Sequence, residues 1–372
     1  MNTEWYLMPS LIMAFVIVLC LVLYYLMPRM TRPDVYFAVT VPSEFRDSAE
    51  GWSILKRYRL AVGIASLLGL LVVLAPARTG ESNLALVMSL AGLLVQGAGV
   101  FFAYYRARRQ VLPHAVAPAT VREAALEPRP ARLPGGWLLQ FPPFAILATA
   151  GIWLGAHWDE IPATFPIHWG GNGQPNNWST RTLTGVYGSL LMGLVMCAFM
   201  GFLAYALPRW SRPIEAAGTR GERERRFRKM VGSILVATQY LVALQFAWIG
   251  LTPLSRPQVG PPGVVPILVI AFGFVVAVVV FVTRYGQGGT RLAGAAAATS
   301  GGTPPVGDRT PDKYWKLGLF YINRDDPAVF IEKRFGIGYT VNFGHPSVWI
   351  GLAVLVAVTV AVVLLVPSQH HP

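Results

Sequence analysis

Long apolar runs dominate the hydrophobic pattern of the chain. A helix needs roughly 20 mostly apolar residues to cross the hydrocarbon core of a bilayer, and eight runs approach that length. They lie at residues 7–27, 60–76, 84–105, 138–156, 183–207, 231–253, 262–283 and 347–366. The pattern therefore predicts an all-α polytopic membrane protein with about eight transmembrane helices.

The polar segments between these runs alternate in basic charge. In chain order, the nine segments outside the predicted helices hold 0, 6, 1, 6, 1, 8, 1, 8 and 0 Lys and Arg residues. Because basic residues near helix ends are retained in the cytoplasm, segments 28–59, 106–137, 208–230 and 284–346 are predicted to be cytoplasmic. Segment 157–182 and both termini are then extracytoplasmic, which is an N-out/C-out arrangement.

Composition agrees with a membrane protein, since 54% of the residues are hydrophobic and 13% are charged, against about a quarter charged in soluble domains. We interpret the net charge of +13 mainly as the result of basic residues that set the topology. A second contribution is contact of basic residues with anionic lipid headgroups. We expect no direct nucleic-acid binding. Nothing basic precedes the first apolar run, so we expect it to be retained and not cleaved as a secretory signal. The abundance of Arg, Ala, Gly and Pro favours the inner membrane of a bacterium.

The chain divides into six predicted segments. They are 1–137, three helices with two basic cytoplasmic loops; 138–207, a helix-loop-helix with an extracytoplasmic loop; 208–285, a basic cytoplasmic loop and two helices; 286–311, a flexible linker; 312–346, a cytoplasmic aromatic module; and 347–372, the last helix and tail. In the module, the sequence NRDDP separates two runs rich in aromatic and β-branched residues. This pattern predicts a small β-hairpin element.

The apolar runs carry no ionisable side chain away from their ends, which argues against an ion-coupled transporter. Neutral Gln96, Gln239 and Gln245 remain, either as hydrogen-bonding groups between helices or as the lining of a path for a neutral solute. Small residues recur at intervals of four in the fifth run, at Gly185, Ser189, Gly193, Cys197 and Gly201. Such a ridge favours close helix packing, within the bundle or in a homo-oligomer.

The segment FPIHWGGNGQPNNWSTRT, residues 165–182, is the most polar stretch between two apolar runs. Its GGNGQP sequence favours a chain reversal, so one interpretation is a hairpin that caps the bundle. His157, Asp159 and His168 are weak candidates for zinc ligands, because their spacing matches no regular ligand pattern. No hydrolase motif is present, and we expect neither a cofactor nor an enzyme.

Six residues of this loop form a pattern that resembles the SdpI-like bacterial membrane family, catalogued as domain of unknown function 1648. They are Pro166, His168, Trp169, Gly173, Pro175 and Trp178. Asn often follows the His-aromatic pair in that family, whereas Gly170 stands here. The resemblance makes the six residues candidates for ligand binding.

A second group of residues is similar to another uncharacterised module, domain of unknown function 5808. Its members here are Tyr314, Trp315, Gly318, Asn323, Asp326, Pro327, Lys333, Arg334, Phe335, Gly336, Gly338 and Asn342. SdpI-type proteins protect a producing cell from a secreted toxic peptide and hold a cytoplasmic repressor at the membrane. The two resemblances together therefore imply a non-enzymatic immunity or signalling protein that meets an extracytoplasmic peptide and a cytoplasmic regulator. Two other hypotheses stay open: a permease component for a neutral solute, and a purely structural membrane protein.

Overall fold

The computed structural model describes residues 8–78, 82–117, 135–170, 174–211, 218–255, 272–280 and 310–365. Within them, six helices are long and apolar enough to cross a membrane. These are Pro9–Met30, Ala49–Leu74, Leu84–His114, Leu183–Trp210, Arg225–Leu254 and Pro346–Leu365. The fold is therefore mainly helical with several spanning segments, as the apolar runs predict.

We number the elements in chain order. The helices are α1 (Met8–Met30), α2 (Ala49–Leu74), α3 (Ser82–Val111), α4 (Gly136–Gln140), α5 (Pro142–Ala156), α6 (Leu183–Trp210), α7 (Gly218–Gly250), α8 (Thr252–Ser255), α9 (described over 272–280) and α10 (Pro346–Leu365). The strands are β1 (Val35–Tyr36), β2 (Val39–Thr40), β3 (Thr164–Trp169), β4 (Pro175–Thr180), β5 (Trp315–Lys316), β6 (Phe320–Tyr321), β7 (Phe330–Glu332) and β8 (Tyr339–Val341). Each described sheet is a single antiparallel pair of consecutive strands.

Two of the eight predicted spans differ from the observed helices. The fourth, 138–156, is divided into α4 and α5 at Phe141, because Pro142 and Pro143 have no N–H groups to continue the hydrogen-bond ladder. The described part of the seventh, 262–283, is helical over 272–280, and the remainder lies outside the described residues. Six long spans are thus seen in the described residues, where eight are predicted from the sequence.

Helix α2 begins well before its predicted start at residue 60. Ser48 caps it, and its Oγ accepts a hydrogen bond from the Gly51 N–H over 3.1 Å. Lys56 and Arg59, which the sequence pattern assigned to a loop, therefore lie on the helix. A serine cap satisfies one of the free N–H groups of the first turn, so it extends the helix beyond the apolar run.

The described residues fall into two compact units. The first contains α1, α2, α3 and the β5–β8 module, and the second contains α4, α5, α6 and most of α7. In the first unit, Gln96 on α3 donates to the Ile17 carbonyl of α1 and to the Ser66 hydroxyl of α2, each over 2.9 Å. Gln96 therefore joins three helices, which is the structural role expected of a buried amide in a membrane.

Helix α6 packs through its small-residue ridge in the second unit. A Cβ on Gly193 would lie 2.6 Å from the Phe246 Cβ on α7 and 3.1 Å from Leu147 on α5. One turn further on, Gln239 on α7 donates to the Cys197 carbonyl over 3.1 Å, and Gly201 faces the same amide. Nearer the start of α6, the Ser189 hydroxyl lies against Gly250. The small size of the side chains along this face lets α6 approach its neighbours closely.

The module at 312–346 contains two β-hairpins where the sequence predicts one small β element. Strands β5 and β6 form the first and β7 and β8 the second, and a parallel bridge from Tyr321 to Asn342 connects them. The NRDDP turn lies between the two hairpins, after β6 and before β7. The small β element is thus confirmed, with a more compact topology than a single hairpin.

Another hairpin, β1–β2 at residues 35–40, has no counterpart in the sequence prediction. Its turn residues Phe37 and Ala38 have φ values of 44° and 60° and are fully buried. Two-residue hairpin turns need positive φ at both central positions, where Asn and Gly are preferred. A Phe-Ala turn is therefore conformationally costly, and contacts elsewhere in the first unit must stabilise it.

Candidate functional site

The segment with the SdpI-like pattern folds as the antiparallel hairpin β3–β4. Its paired residues are Thr164 with Thr180, Phe165 with Ser179, Pro166 with Trp178, His168 with Asn177, and Trp169 with Pro175. The register shifts on both sides of His168. Such irregularities bend a strand and redirect its side chains, and they are frequent beside functional sites. His168 therefore lies at the distorted position of an otherwise regular hairpin.

The imidazole of His168 is held by a residue that the sequence pattern did not single out. Its Nδ1 lies 2.5 Å from Oδ1 of Asn176, and both side chains are exposed. An amide oxygen only accepts hydrogen bonds, so Nδ1 donates and Nε2 of the neutral ring is the acceptor. In the sequence, the neighbouring residues Asn176 and Asn177 were the feature from which such a partner could have been predicted.

The other candidate residues of the loop have different surroundings. Pro166 is buried opposite the half-buried Trp178, which gives this pair a packing role. Trp169 is half-buried, and its indole N–H is buried with no acceptor among the described residues. Pro175 pairs with Trp169. Gly173 lies outside the described residues.

Arg181 fixes the base of the hairpin. Its guanidinium Nη1 donates to the backbone carbonyls of Trp158, Asp159 and Ile161 over 3.4, 3.2 and 3.1 Å. These carbonyls precede β3 and Arg181 follows β4, so this one side chain joins the two ends of the hairpin to each other. The hairpin is therefore anchored by charge-assisted hydrogen bonds as well as by packing.

The weak metal candidates are not brought together. His157 donates from Nδ1 to the Trp153 carbonyl over 2.9 Å, and its ring lies 4.2 Å from the Trp153 ring. Among the residues that the structure describes, no group of three His, Cys, Asp or Glu side chains could hold a metal ion. The described residues therefore contain no metal centre that includes His157, Asp159 or His168.

Asn342 is the hydrogen-bonding centre of the module. Its Nδ2 donates to the carbonyls of Asn323, Asp326 and Ala328 over 2.7, 3.2 and 3.3 Å. Its Oδ1 accepts from the N–H groups of Asn323 and Gly344, both at 3.0 Å. The side chain is completely buried, so these five bonds replace the water that an amide otherwise binds.

The NRDDP turn is closed by side chains of its own members. Asp326 accepts from the Tyr321 hydroxyl over 2.9 Å and from the Ala328 N–H over 3.1 Å. Asn323 accepts from the Asp325 N–H over 3.1 Å, while Pro327 is exposed. These contacts explain the Asn and Asp residues of the pattern as turn-forming groups.

Arg334 is the most deeply buried charged side chain of the module. Its guanidinium donates to the Asp312 carboxylate over 2.5 Å, to the Thr40 hydroxyl over 3.3 Å and to the Ala38 carbonyl over 3.4 Å. It also donates to the Thr310 carbonyl. The Trp315 ring lies 5.3 Å away, and the Trp315 N–H donates to the Thr310 hydroxyl over 2.8 Å. Arg334 thus joins the module to the β1–β2 hairpin.

The β1–β2 turn and the β5–β6 turn meet over helix α3. Arg108 on α3 donates to the carbonyls of Phe37 and Ala38 over 3.2 and 2.7 Å, and the Tyr104 hydroxyl donates to the Leu317 carbonyl over 2.8 Å. Leu317 and Gly318 have φ values of 54° and 74°. We call this contact between the two turns the turn junction.

Aromatic rings complete the turn junction. Phe335 lies 4.5 Å from Tyr104 and 6.0 Å from Phe37, measured between ring centroids. Tyr314 packs against Tyr321 on the other side of the module. Sequence reasoning missed Arg108 and Tyr104, because at the basic end of an apolar run they resemble ordinary topology determinants and interfacial residues.

Two further glycines of the module, after Gly318, have positive φ values. Gly336 and Gly338 have φ values of 89° and 94° and lie in the loop between β7 and β8. This loop presents Lys333 beside the buried Arg334. Its glycines therefore provide a backbone conformation that L-residues rarely adopt.

Comparison with known families confirms both resemblances. Residues 144–194 match a domain of unknown function, DUF1648, which is the SdpI-like family domain. This match covers most of α5, the β3–β4 hairpin and the start of α6. Residues 324–349 match a family of unknown function, DUF5808, which covers β7, β8 and the loop of Lys333. No curated protein and no solved structure matches the chain.

Proposed function

We propose that this chain is a non-enzymatic immunity or signal-transducing protein of the bacterial inner membrane, and that its β3–β4 hairpin binds an extracytoplasmic peptide. The observation that carries the proposal is the buried indole N–H of Trp169, which has no acceptor among the described residues. It lies on the strand that also carries the exposed His168. A peptide carbonyl is an acceptor of the kind that this indole lacks.

The form of the hairpin supports a peptide as the ligand. A described sheet of two strands leaves backbone groups at its edges, and an extended peptide binds such an edge through main-chain hydrogen bonds. Arg181 holds the hairpin at its base, which lowers the entropy lost when a ligand binds. The DUF1648 match is to a domain of unknown function, and the resistance to a secreted toxic peptide is what the resemblance to SdpI-type proteins implies.

A substitution that removes the indole N–H tests the peptide site. Trp169→Phe keeps an aromatic ring and removes the N–H, and Trp153→Phe is the matched control on an exposed indole. We expect cells with Trp169→Phe to lose survival under the cognate toxic peptide and to bind that peptide several-fold more weakly, with Trp153→Phe unchanged. Equal survival of both variants at equal membrane levels would contradict the proposal.

The N-out/C-out orientation is part of the same proposal, because it places the hairpin outside and the β5–β8 module inside. Its support is the alternation of basic residues between segments. Asn176→Cys and Lys316→Cys, introduced with Cys20 and Cys197 replaced by Ser, test it in intact cells. A membrane-impermeant maleimide should label position 176 and label position 316 only after lysis; the reverse pattern would invert the assignment. With the module inside, a cytoplasmic regulator is its proposed partner.

The alternative of a permease for a neutral solute retains support from one place in the second unit. Gln140 Nε2 and Gln239 Oε1 are both buried without hydrogen-bond partners among the described residues, and both side chains lie near Gly201. Gln245 is exposed on α7, and Gln96 is bound to neighbouring helices. Flux of neutral solutes into proteoliposomes that falls with Gln239→Leu would favour this function over peptide immunity.

A further inference from the structure

A cavity of about 420 Å³ lies within the first unit, between α1, α3 and the β5–β8 module. Tyr24 and Met27 line it from α1, and Gly97 and Phe101 line it from α3. This volume is within the range of small-molecule and lipid-sized sites. The cavity is therefore large enough to take part of an amphiphilic molecule.

The α3 wall of the cavity is apolar and open. A Cβ on Gly97 would meet no atom within 4 Å, and the next turn presents Phe101, whose side chain is 47% exposed. On a spanning helix, an exposed apolar face is in contact with acyl chains. This wall of the cavity is therefore suited to a hydrocarbon chain.

The module contributes a cation to the same cavity. Lys333 lines it from the loop between β7 and β8, and its backbone N–H donates to the Gly338 carbonyl over 3.0 Å. No described carboxylate forms an ion pair with the Lys333 ammonium. Although Lys333 remains exposed at the cavity, the surrounding protein desolvates its ammonium and lowers its pKa from the usual 10.5.

The neighbouring Arg334 does not compete for the same anion. Its guanidinium is fully buried and binds Asp312, Thr40 and the Ala38 carbonyl. Phe335, which also lines the cavity, continues the apolar surface towards Tyr104. Among the described residues that line it, the cavity thus combines one available cation with hydrophobic walls, and this is the arrangement that suits an anionic amphiphile.

We propose that this cavity is a binding site for one anionic phospholipid, whose headgroup phosphate pairs with Lys333 and whose acyl chain lies against Gly97 and Phe101. Free inorganic phosphate would meet the lysine but would leave the apolar walls uncovered. A zwitterionic lipid would fill the walls with less electrostatic gain. Because the ligand contacts α1, α3 and the module together, its binding would stabilise the docked module.

Native mass spectrometry of the full-length protein released from nanodiscs tests this proposal. The discs contain phosphatidylglycerol and phosphatidylcholine in equal amounts. Lys333→Gln removes the cation, with Lys316→Gln as the matched control on an exposed lysine of the same module. Gly97→Leu fills the cavity, with Gly351→Leu as the control, because a Cβ on Gly351 also meets nothing within 4 Å.

The wild type and both control variants should retain one phosphatidylglycerol in preference to phosphatidylcholine. Lys333→Gln should reduce that preference roughly fivefold, the effect of one basic residue near an anionic lipid, and Gly97→Leu should abolish retention at unchanged thermal stability without lipid. Equal retention of the two lipids by the wild type would overturn the proposal. Displacement of the lipid by millimolar inorganic phosphate, or retention unaffected by Gly97→Leu, would also overturn it.

Discussion

Gly318 lies so close to Ala38 that a Cβ on the glycine would come within 2.6 Å of the alanine Cβ. The same Cβ would lie 2.6 Å from an Arg108 guanidinium nitrogen and 2.7 Å from the Tyr104 hydroxyl. The module therefore contacts helix α3 at Gly318, a position that has no room for a side chain. The turn junction is the contact on which the docking of the module depends.

Gly318→Ala should undock the module. The substitution adds a clash to an unfavourable positive φ, so we expect the free energy of unfolding to fall by about 2 kcal/mol or more. Gly338→Ala is the matched control, because its φ of 94° is also positive but a Cβ there meets nothing within 4 Å; it should cost about 1 kcal/mol. Thermal unfolding in detergent compares the two, and equal losses would show that backbone conformation alone is responsible.

Arg334→Met should destabilise the first unit by roughly 1–3 kcal/mol, the cost of removing the donor from acceptors that are buried or half-buried. The loss arises because the Thr310 carbonyl loses the guanidinium donor and the Asp312 carboxylate keeps, among the described residues, only the Thr40 hydroxyl, which donates to it over 3.0 Å. A double-mutant cycle with Asp312→Asn measures the interaction directly. A double variant whose loss equals the sum of the two single losses would mean that the ion pair contributes no coupling.

Asn342→Asp should be at least as damaging as Asn342→Ala. The carboxylate keeps the two accepted bonds, but it replaces a donor with an acceptor facing three carbonyls. Leaving buried acceptors unsatisfied costs roughly 1–3 kcal/mol, and the like partial charges add repulsion. Protease accessibility of the module measures the effect. A variant with Asp that resists cleavage like the wild type would refute the role of Asn342 as the hydrogen-bonding centre.

Arg181→Lys should loosen the β3–β4 hairpin while keeping the positive charge. A lysine ammonium lacks the planar geometry with which the guanidinium reaches three carbonyls. Hydrogen exchange in residues 158–170 should accelerate, whereas exchange in α6 should stay unchanged. Unchanged exchange in both regions would show that packing alone holds the hairpin.

Gly193→Ala should separate α6 from its neighbours in the second unit. The added methyl group would lie 2.6 Å from Phe246, and overpacking of this kind costs about 1–3 kcal/mol. Gly351→Ala on α10 is the control without a close neighbour. In detergent, Gly193→Ala should unfold at a lower temperature than Gly351→Ala. Similar unfolding temperatures would indicate that α6 and α7 shift apart at little cost in free energy.

The long helices could be predicted from sequence because apolar runs of sufficient length have few other stable conformations in a membrane. The β1–β2 hairpin could not, since VYFAVT contains no turn-forming pair. Its turn is stabilised by Arg108 and Arg334, which lie far away in the sequence. Tertiary contacts thus override the local preference of Phe37 and Ala38 for negative φ.

The motifs supplied the candidate residues but not their surroundings. The resemblance located His168 and Trp169, but their partner Asn176 and the irregular register around His168 required coordinates. In the module, the polar members of the pattern proved to bind backbone groups of the module itself. A pattern of residue types does not distinguish such internal hydrogen bonding from contact with a ligand.

The contact between Arg334 and Ala38 spans 296 positions of the chain. At a synthesis rate of up to 20 residues per second, the β1–β2 hairpin is translated about 15 s or more before its partner. Arg108 follows Ala38 by only 70 positions, so for most of that interval the costly turn has Arg108 but lacks the module that covers it. The synthesis of the first three helices therefore precedes the completion of their own core, and chains that terminate early should be recognised and degraded as unfinished.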